Sequence, residues 1–275
     1  MPGSISTKEN LLIIAGEGEL PVIASQKAHL KGYKLFISPL SSFFFFQRNR
    51  YKYHGLIKNS FLSLRKYLAE IKQKSISQVL LVGKFEKLYF FANFHKLDQL
   101  AREYLKKSTN CQDNSLHEQV ERIFNEAQIK VLSQKDFLSD LLAQKKDYNP
   151  EILLKKDLQE DLSYGIQISK KSAALEIGQT IVVKNKSVIA LEAIEGTNSA
   201  IKRGCKLIKN ALVVKAPWSE QSTKFDLPTV GPETIKIMSR YKASLLAVKA
   251  GITFIIQPKK TLQIANKHKI KLIGF

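Results

Sequence analysis

Residues 11–39 read LLIIAGEGELPVIASQKAHLKGYKLFISP, and the fold follows from this stretch. Leu11–Ala15 is a continuous apolar run, short enough for a strand and apolar enough to be covered on both faces. It breaks into Gly16-Glu17-Gly18-Glu19-Leu20-Pro21, where glycine turns the chain and proline suits the first turn of a helix. A helical pattern runs through Val22, Ile23 and Ala28 and stops at Gly32. Tyr33–Ile37 then reads as a second strand, closed by Pro39.

Working outward, Phe61, Leu64, Leu68 and Ile71 recur at helical spacing over 61–73, and Gln78–Val82 is a third strand ending at Gly83-Lys84. Helical patterns cover about 96–106 and 115–126, and Ile129–Leu132 reads as a fourth strand. Strands alternating with helices predict an α/β fold: an N-terminal, doubly wound, Rossmann-like sheet, mostly parallel, over residues 1–135. The next segment, 134–160, is helical in pattern, dense in Lys and Asp, and broken by Asn149-Pro150. We read 136–160 as a linker region.

Residues 161–275 predict a C-terminal mixed α+β domain carrying the acidic motifs. Thr180–Val183 and Val188–Glu192 form a hairpin around Lys184-Asn185-Lys186-Ser187, followed by a helix from Ser199 to Ile208 and a strand at Leu212–Val214. A polar loop over 216–231 leads to a helix started by Pro232, strands at Leu245–Val248 and Ile252–Ile256, a helix near 261–268 and a last strand, Ile270–Ile273. Sequence alone gives no strand order here.

Composition narrows the classes. Forty-four basic residues against 24 acidic give +20, and only seven of the 44 are Arg. Such a field favours an anionic partner, whether nucleic acid, anionic membrane or phosphorylated small molecule, although evenly spread lysines also describe a solvated surface. Cys111 and Cys205 cannot build a disulfide scaffold or a four-cysteine zinc site. No apolar run reaches the roughly 18 residues that span a bilayer, and Lys8-Glu9 ahead of Leu11–Ala15 is not a secretory signal. The expectation is a soluble or peripheral protein of a reducing compartment. The five histidines show no HExxH pairing, there is no GxSxG elbow, and no zinc finger or arginine-rich arm points to nucleic acid.

Several positions could carry chemistry. The Gly16-x-Gly18 turn sits between a strand and a helix, so its amides could receive phosphate, or it could simply be a tight turn. It lacks the third glycine and the strand-end acid of a nicotinamide site, and no Walker lysine is present. Lys84 follows the third strand, on the edge where open sheets place ligands, as a phosphate contact or as a surface charge. Asp113 precedes a helix, as a cap or as a carboxylate beside a metal or ribose. Glu192 and Glu195 flank a strand-to-helix turn before Gly196-Thr197, where two carboxylates could share a divalent ion, or Thr197 could cap the helix. Asp226 is held in a loop stiffened by Pro228 and Pro232, as a positioned acid or an Asx-turn. Phe43–Phe46, four consecutive aromatics, suits a buried corner or subunit interface; contact with lipid beside Arg48, Arg50 and Lys52 is the sharper reading.

Together the motifs LIIAGEGELP (12–21), HGL (54–56), LLVGKFEK (80–87), DLSYG (161–165), IGQTIVV (177–183), ALEAIEGTNSAIKRG (190–204) and KFDLPTVGPETI (224–235) resemble the LpxI family, the UDP-2,3-diacylglucosamine pyrophosphatases of lipid A synthesis. The resemblance runs nearly end to end. It implies a two-domain homodimer that uses Mg²⁺, or another divalent cation such as Mn²⁺, to cleave a nucleotide-activated glycolipid into UMP and 2,3-diacylglucosamine 1-phosphate. It also implies a cytoplasmic enzyme in peripheral contact with the inner face of the cytoplasmic membrane, with no role for nucleic acid. Carried onto this chain, it makes Asp226, Glu195 and Glu192 the catalytic and metal-holding acids. Gly16, Gly18, Lys84, Asp113, Thr197, Arg203, Lys224 and Thr229 become substrate-binding positions. The chain departs from the family pattern at Asn114, Asn198 and Gln221-Ser222-Thr223-Lys224, where acids or arginines are usual. A catalytically silent nucleotide-sugar or lipid-binding homologue is the alternative.

Overall fold

A computed structural model describes residues 9–84, 94–106, 113–175, 177–193, 195–217, 224–225 and 227–275. The chain divides into two units, Met1–Phe137 with Lys224–Asp226, and Leu138–Thr223 with Leu227–Phe275.

In the first unit, β1 (Asn10–Ala15), β2 (Lys34–Pro39), β3 (Gly55–Leu56), β4 (Ile76–Val82) and β5 (Lys130–Val131) form one sheet in the order β3-β2-β1-β4-β5. Every pairing is parallel. The sheet is thus the all-parallel, Rossmann-like one that the alternation of strands and helices predicts. β1 lies at its centre, which is why Leu11, Leu12, Ile13, Ile14 and Ala15 are all fully buried and why the run has no polar alternation. Helix Leu64–Gln73 buries Leu64, Tyr67 and Ile71, one stripe at helical spacing, and turns its charged residues outward. Phe225, 3% exposed, sits in this unit's core with Leu64, Tyr67 and Phe124.

The second unit is mixed. β6 (Thr180–Lys184), β7 (Ser187–Leu191), β8 (Leu212–Lys215), β10 (Leu245–Val248) and β12 (Lys271–Gly274) take the order β12-β10-β8-β6-β7. β8, β10 and β12 run parallel, whereas β6 is antiparallel to both its neighbours. The β6–β7 hairpin turns through Asn185 and Lys186, both at positive φ, the backbone a two-residue hairpin of the right twist requires. Alternate residues separate the sheet's faces: Ile181, Val183, Leu212 and Val214 pack with the side of helix Lys156–Ala174, and Val182, Ala190 and Val213 with that of helix Thr197–Leu207. The expected strand 252–256 narrows to β11 (Phe254–Ile255), which pairs with β9 (Thr229–Val230) in a separate two-stranded sheet.

The helical reading of 134–160 holds only at its ends, in the turn Gln134–Phe137 and in helix Lys156–Ala174. Between them Asn149 breaks the helix by offering β12 a better partner. Its side chain accepts from the Leu272 amide and donates to the Ile270 carbonyl, both at 2.9 Å, and Lys271 Nζ donates to its carbonyl and to Asp147. Asp161 lies inside helix Lys156–Ala174, buried, and accepts from the amides of Asn185 (3.0 Å) and Lys186 (2.6 Å). The DLSYG motif therefore holds the hairpin turn.

Candidate active site

In a sheet of order β3-β2-β1-β4-β5 the crossovers diverge on either side of β1, and the crevice outside the carboxyl ends of β1 and β4 is where such sheets take ligands. Gly16, Gly18 and Lys84 all lie there. The two turns are sewn together by backbone. The Gly16 amide donates to Val82 O, the Glu17 amide to Lys84 O, and the Lys84 amide to Glu17 O, each at 2.9 Å. A Cβ on Gly16 would stand 2.5 Å from the Lys84 carbonyl, so glycine is what lets these strands' ends approach. Gly18 differs: its φ is +100°, and nothing lies within 4 Å of where a side chain would begin. The Lys84 side chain is exposed at this edge.

The second unit builds its site from side chains. β7 ends at Leu191, and the chain turns through Glu192 and Glu195 into helix Thr197–Leu207. Glu192 is drawn back onto β6: its amide donates to Thr180 O at 2.8 Å, and its carbonyl lies so close to Gly178 that a Cβ there would stand 2.0 Å away. The Thr197 hydroxyl donates to Glu192 Oε1 at 3.0 Å and accepts from Lys215 Nζ at 2.6 Å. Thr180 Oγ1 also accepts from Lys215, at 3.4 Å. Lys215 is 5% exposed and Thr180 not at all. A buried ammonium is tolerated only where oxygens replace its water, and these hydroxyls begin to do so. Glu192 Oε2 is buried with no hydrogen-bond partner. The cluster thus holds a cation, two oriented hydroxyls and a carboxylate with one oxygen unsatisfied.

Glu195 is placed differently. Arg203 donates to Glu195 Oε1 at 2.5 Å and to Leu191 O at 2.8 Å, while Glu195 Oε2 accepts from the Ala193 amide. The Arg203 hydrogen bond holds the Glu195 carboxyl below its ordinary range. The two glutamates, three positions apart in sequence, are committed to different partners. Among the described residues no group of three His, Cys, Asp or Glu side chains could hold a metal. Thr229 opens β9 and donates to Leu227 O at 3.1 Å. Lys224 pairs with Glu121 of helix Asp113–Glu126, the helix that Asp113 opens. Asp226, Gln221, Ser222 and Thr223 lie outside the described residues.

These two edges sit in two regions that family models match separately. Residues 10–141 match the LpxI N-terminal domain, and residues 151–273 match the LpxI C-terminal domain. The chain belongs to the LpxI family. A UDP-2,3-diacylglucosamine pyrophosphatase LpxI from Caulobacter vibrioides is 27% identical over 123 residues, 42% of this chain and 44% of that protein. The match spans less than half of that relative's length.

Two members of the cluster escape sequence reasoning, Thr180 and Lys215. Lys215 closes the apolar run Leu212-Val213-Val214 just before Ala216-Pro217, and a strand read by hydrophobicity stops one residue short of it. The signal lies in that position: a lysine finishing a strand buried at all four residues has its ammonium at the strand's carboxyl end. Among the described residues no helix is long and apolar enough to cross a membrane.

Proposed function

We propose that this LpxI-family chain hydrolyses the pyrophosphate of UDP-2,3-diacylglucosamine, adding one water and releasing UMP and 2,3-diacylglucosamine 1-phosphate. The observation that carries the reading is the Glu192–Thr197–Lys215 cluster, with its unsatisfied buried carboxylate oxygen, at a strand-to-helix turn of the second unit. Family membership supplies the substrate class.

Pyrophosphate cleavage asks for neutralised phosphate oxygens and a held water, and little else from the protein. An acceptor-only oxygen such as Glu192 Oε2 is satisfied by a donor or by an oxygen-loving cation, so the residue suits Mg²⁺ or Mn²⁺. Glu192 is the proposed ligand, with Glu195 beside it; a bound cation would polarise the phosphoryl oxygens and offset their charge. Lys215 fixes Thr197 by occupying its acceptor side, and Thr197 in turn directs its proton to Glu192 Oε1, which leaves Oε2 without a partner. Asp226 is assigned to orient the attacking water at the sugar-side phosphorus, so that UMP is the leaving group. Gly18, Lys84, Asp113 and Lys224 of the first unit are proposed substrate-binding positions, and so, in the second unit, are Arg203 and Thr229.

The test is UMP release from UDP-2,3-diacylglucosamine with and without Mg²⁺, for the natural chain and for Asp226→Asn. Loss of the charge should lower kcat by roughly two to four orders of magnitude with binding retained. A chain that binds the nucleotide-lipid and releases no UMP under any divalent cation is the silent homologue, and Asn114 and Asn198 become the positions to restore to Asp.

A further inference from the structure

The carboxyl edge of the first sheet carries a feature that the proposed chemistry does not use. β2 ends at Pro39, and within a few residues the chain enters a helix reading FFFFQ, Phe43–Gln47. Phe44 is 2% exposed, its ring 4.9 Å from Tyr51 and 6.0 Å from Tyr53 between centroids. Phe45 and Phe46 stand outward, 59% and 85% exposed. Arg48, Arg50 and Lys52 follow, all exposed.

This element is fixed at the ligand edge. Leu40 N donates to Ala15 O (2.9 Å), Ser41 Oγ to Glu17 Oε1 (2.7 Å), and Arg50 clasps Glu19 through two bonds of 2.7 and 2.5 Å. Ala15 ends β1, and Glu17 and Glu19 belong to the turn that carries Gly16 and Gly18. On the far side, Gln26 Nε2 and Ser25 Oγ of helix Leu20–Leu30 hold Arg50 O and Lys52 N.

We propose that Phe45 and Phe46 insert into the surface of an anionic bilayer while Arg48 and Lys52 meet its headgroups, seating the switch-point edge of the first unit on the membrane. That the seat serves a lipid-linked substrate rests on the proposed function; the docking surface does not. Two features set a bilayer above a second copy of the chain as the occupant. The two exposed rings offer on the order of 300 Å², well under the roughly 800 Å² per partner of a stable protein interface. A two-fold contact here would also bring Arg48 and Lys52 against their own copies, whereas anionic lipid complements both. Short amphipathic elements with aromatic and basic residues bind interfaces in this way.

Flotation of the full chain tests it, with vesicles of phosphatidylcholine alone or mixed equally with phosphatidylglycerol. The natural protein should float with the anionic vesicles and release as salt is raised. Phe45→Ser with Phe46→Ser should cut the bound fraction about tenfold, and Arg48→Glu with Lys52→Glu should abolish the preference for anionic over neutral vesicles. A natural chain that stays at the bottom of the gradient, or a double serine variant that floats undiminished, overturns the proposal. So does a double serine variant that floats normally but sediments as a smaller assembly, which would make the surface a subunit contact. Melting temperatures show that each variant is folded. UMP release from detergent-dispersed substrate reports the catalytic reading separately: intact activity without flotation removes only the membrane seat, and flotation without activity removes only the hydrolase.

Discussion

Both units place a glycine-bearing turn between a strand and a helix, and the two turns are built on opposite terms. After β1 the turn is made of backbone: amides of Gly16, Glu17 and Lys84 are spent on carbonyls of the facing turn, and side chains enter only at its margin. After β7 the turn is made of side chains: Glu192, Thr197, Thr180 and Lys215 form one chain of contacts, with a carboxylate oxygen left over. The first resembles a phosphate loop in sequence, yet much of its donor capacity is already used. The second shows little pattern beyond two glutamates and a glycine, yet it carries the charge and the unsatisfied acceptor. A glycine pattern reports the shape a backbone must take; reactive potential lies where polar groups are buried with partners still owing.

The contrast is most exposed to failure at Lys215. Lys215→Met keeps an unbranched side chain one atom shorter and removes the ammonium that holds Thr197. UMP release should fall by roughly two to three orders of magnitude, the scale of losing one preorganised electrostatic group. Thr197→Val, which keeps the shape but cuts the relay to Glu192, should fall in the same direction by a smaller factor. A Lys215→Met chain with unchanged kcat and a lowered melting temperature would make the cluster a structural one.

The first turn should fail in stability instead. Gly16→Ala sets a methyl against the Lys84 carbonyl at 2.5 Å and should destabilise the first unit by about 2–3 kcal/mol, read by denaturant midpoint. Gly18→Ala meets no neighbour and carries only the strain of φ +100°, about 1 kcal/mol. If the open space at Gly18 admits ligand, this variant should raise KM more than it lowers stability, the reverse of Gly16→Ala.

The smallest effect belongs to Glu195. Its carboxyl titrates below the ordinary range because Arg203 donates to it, so the unfolded chain holds the proton more tightly. The stability it contributes is present above the usual glutamate value of 4.5 and drains away as the pH falls from there through the lowered folded value. As an exposed pair it is worth less than about 1 kcal/mol and is screened by salt. Glu195→Gln should flatten that part of the acid unfolding curve and leave stability at neutral pH almost unchanged. A large loss of UMP release in the same variant would give Glu195 the metal-holding role proposed beside Glu192.

Most of the elements were legible because their causes are local. The run Leu11–Ala15, the Gly32 stop, the Leu64–Ile71 stripe and the Pro232 helix start are written within a turn or two of where they act. Strand order in the second unit was not, since Ile181, Val213 and Leu246 are equally apolar whichever strands they lie between. The course of 138–155 also depends on a distant partner: Asn149 answers β12, more than a hundred residues away. At the candidate site, the residues that spacing can find are the glutamates. Spacing could not separate Glu192, turned onto Thr197, from Glu195, turned onto Arg203. Lys215 was hidden by the rule that lysines belong in solvent, a rule that buried hydroxyls override.

Phe225 has a consequence for the order in which the molecule can be made. Its ring belongs to the core beneath the first sheet, but it is encoded 88 residues after Phe137, where the main body of that unit ends. A chain leaving the ribosome therefore has all five parallel strands of its first sheet in hand well before it has the side chain that fills their core. A gene cut at residue 137 would yield a sheet with a ring-sized void, a defect of about 3–5 kcal/mol by the measure of phenylalanine truncations. The two family halves are separable in sequence models, but the first cannot be excised whole.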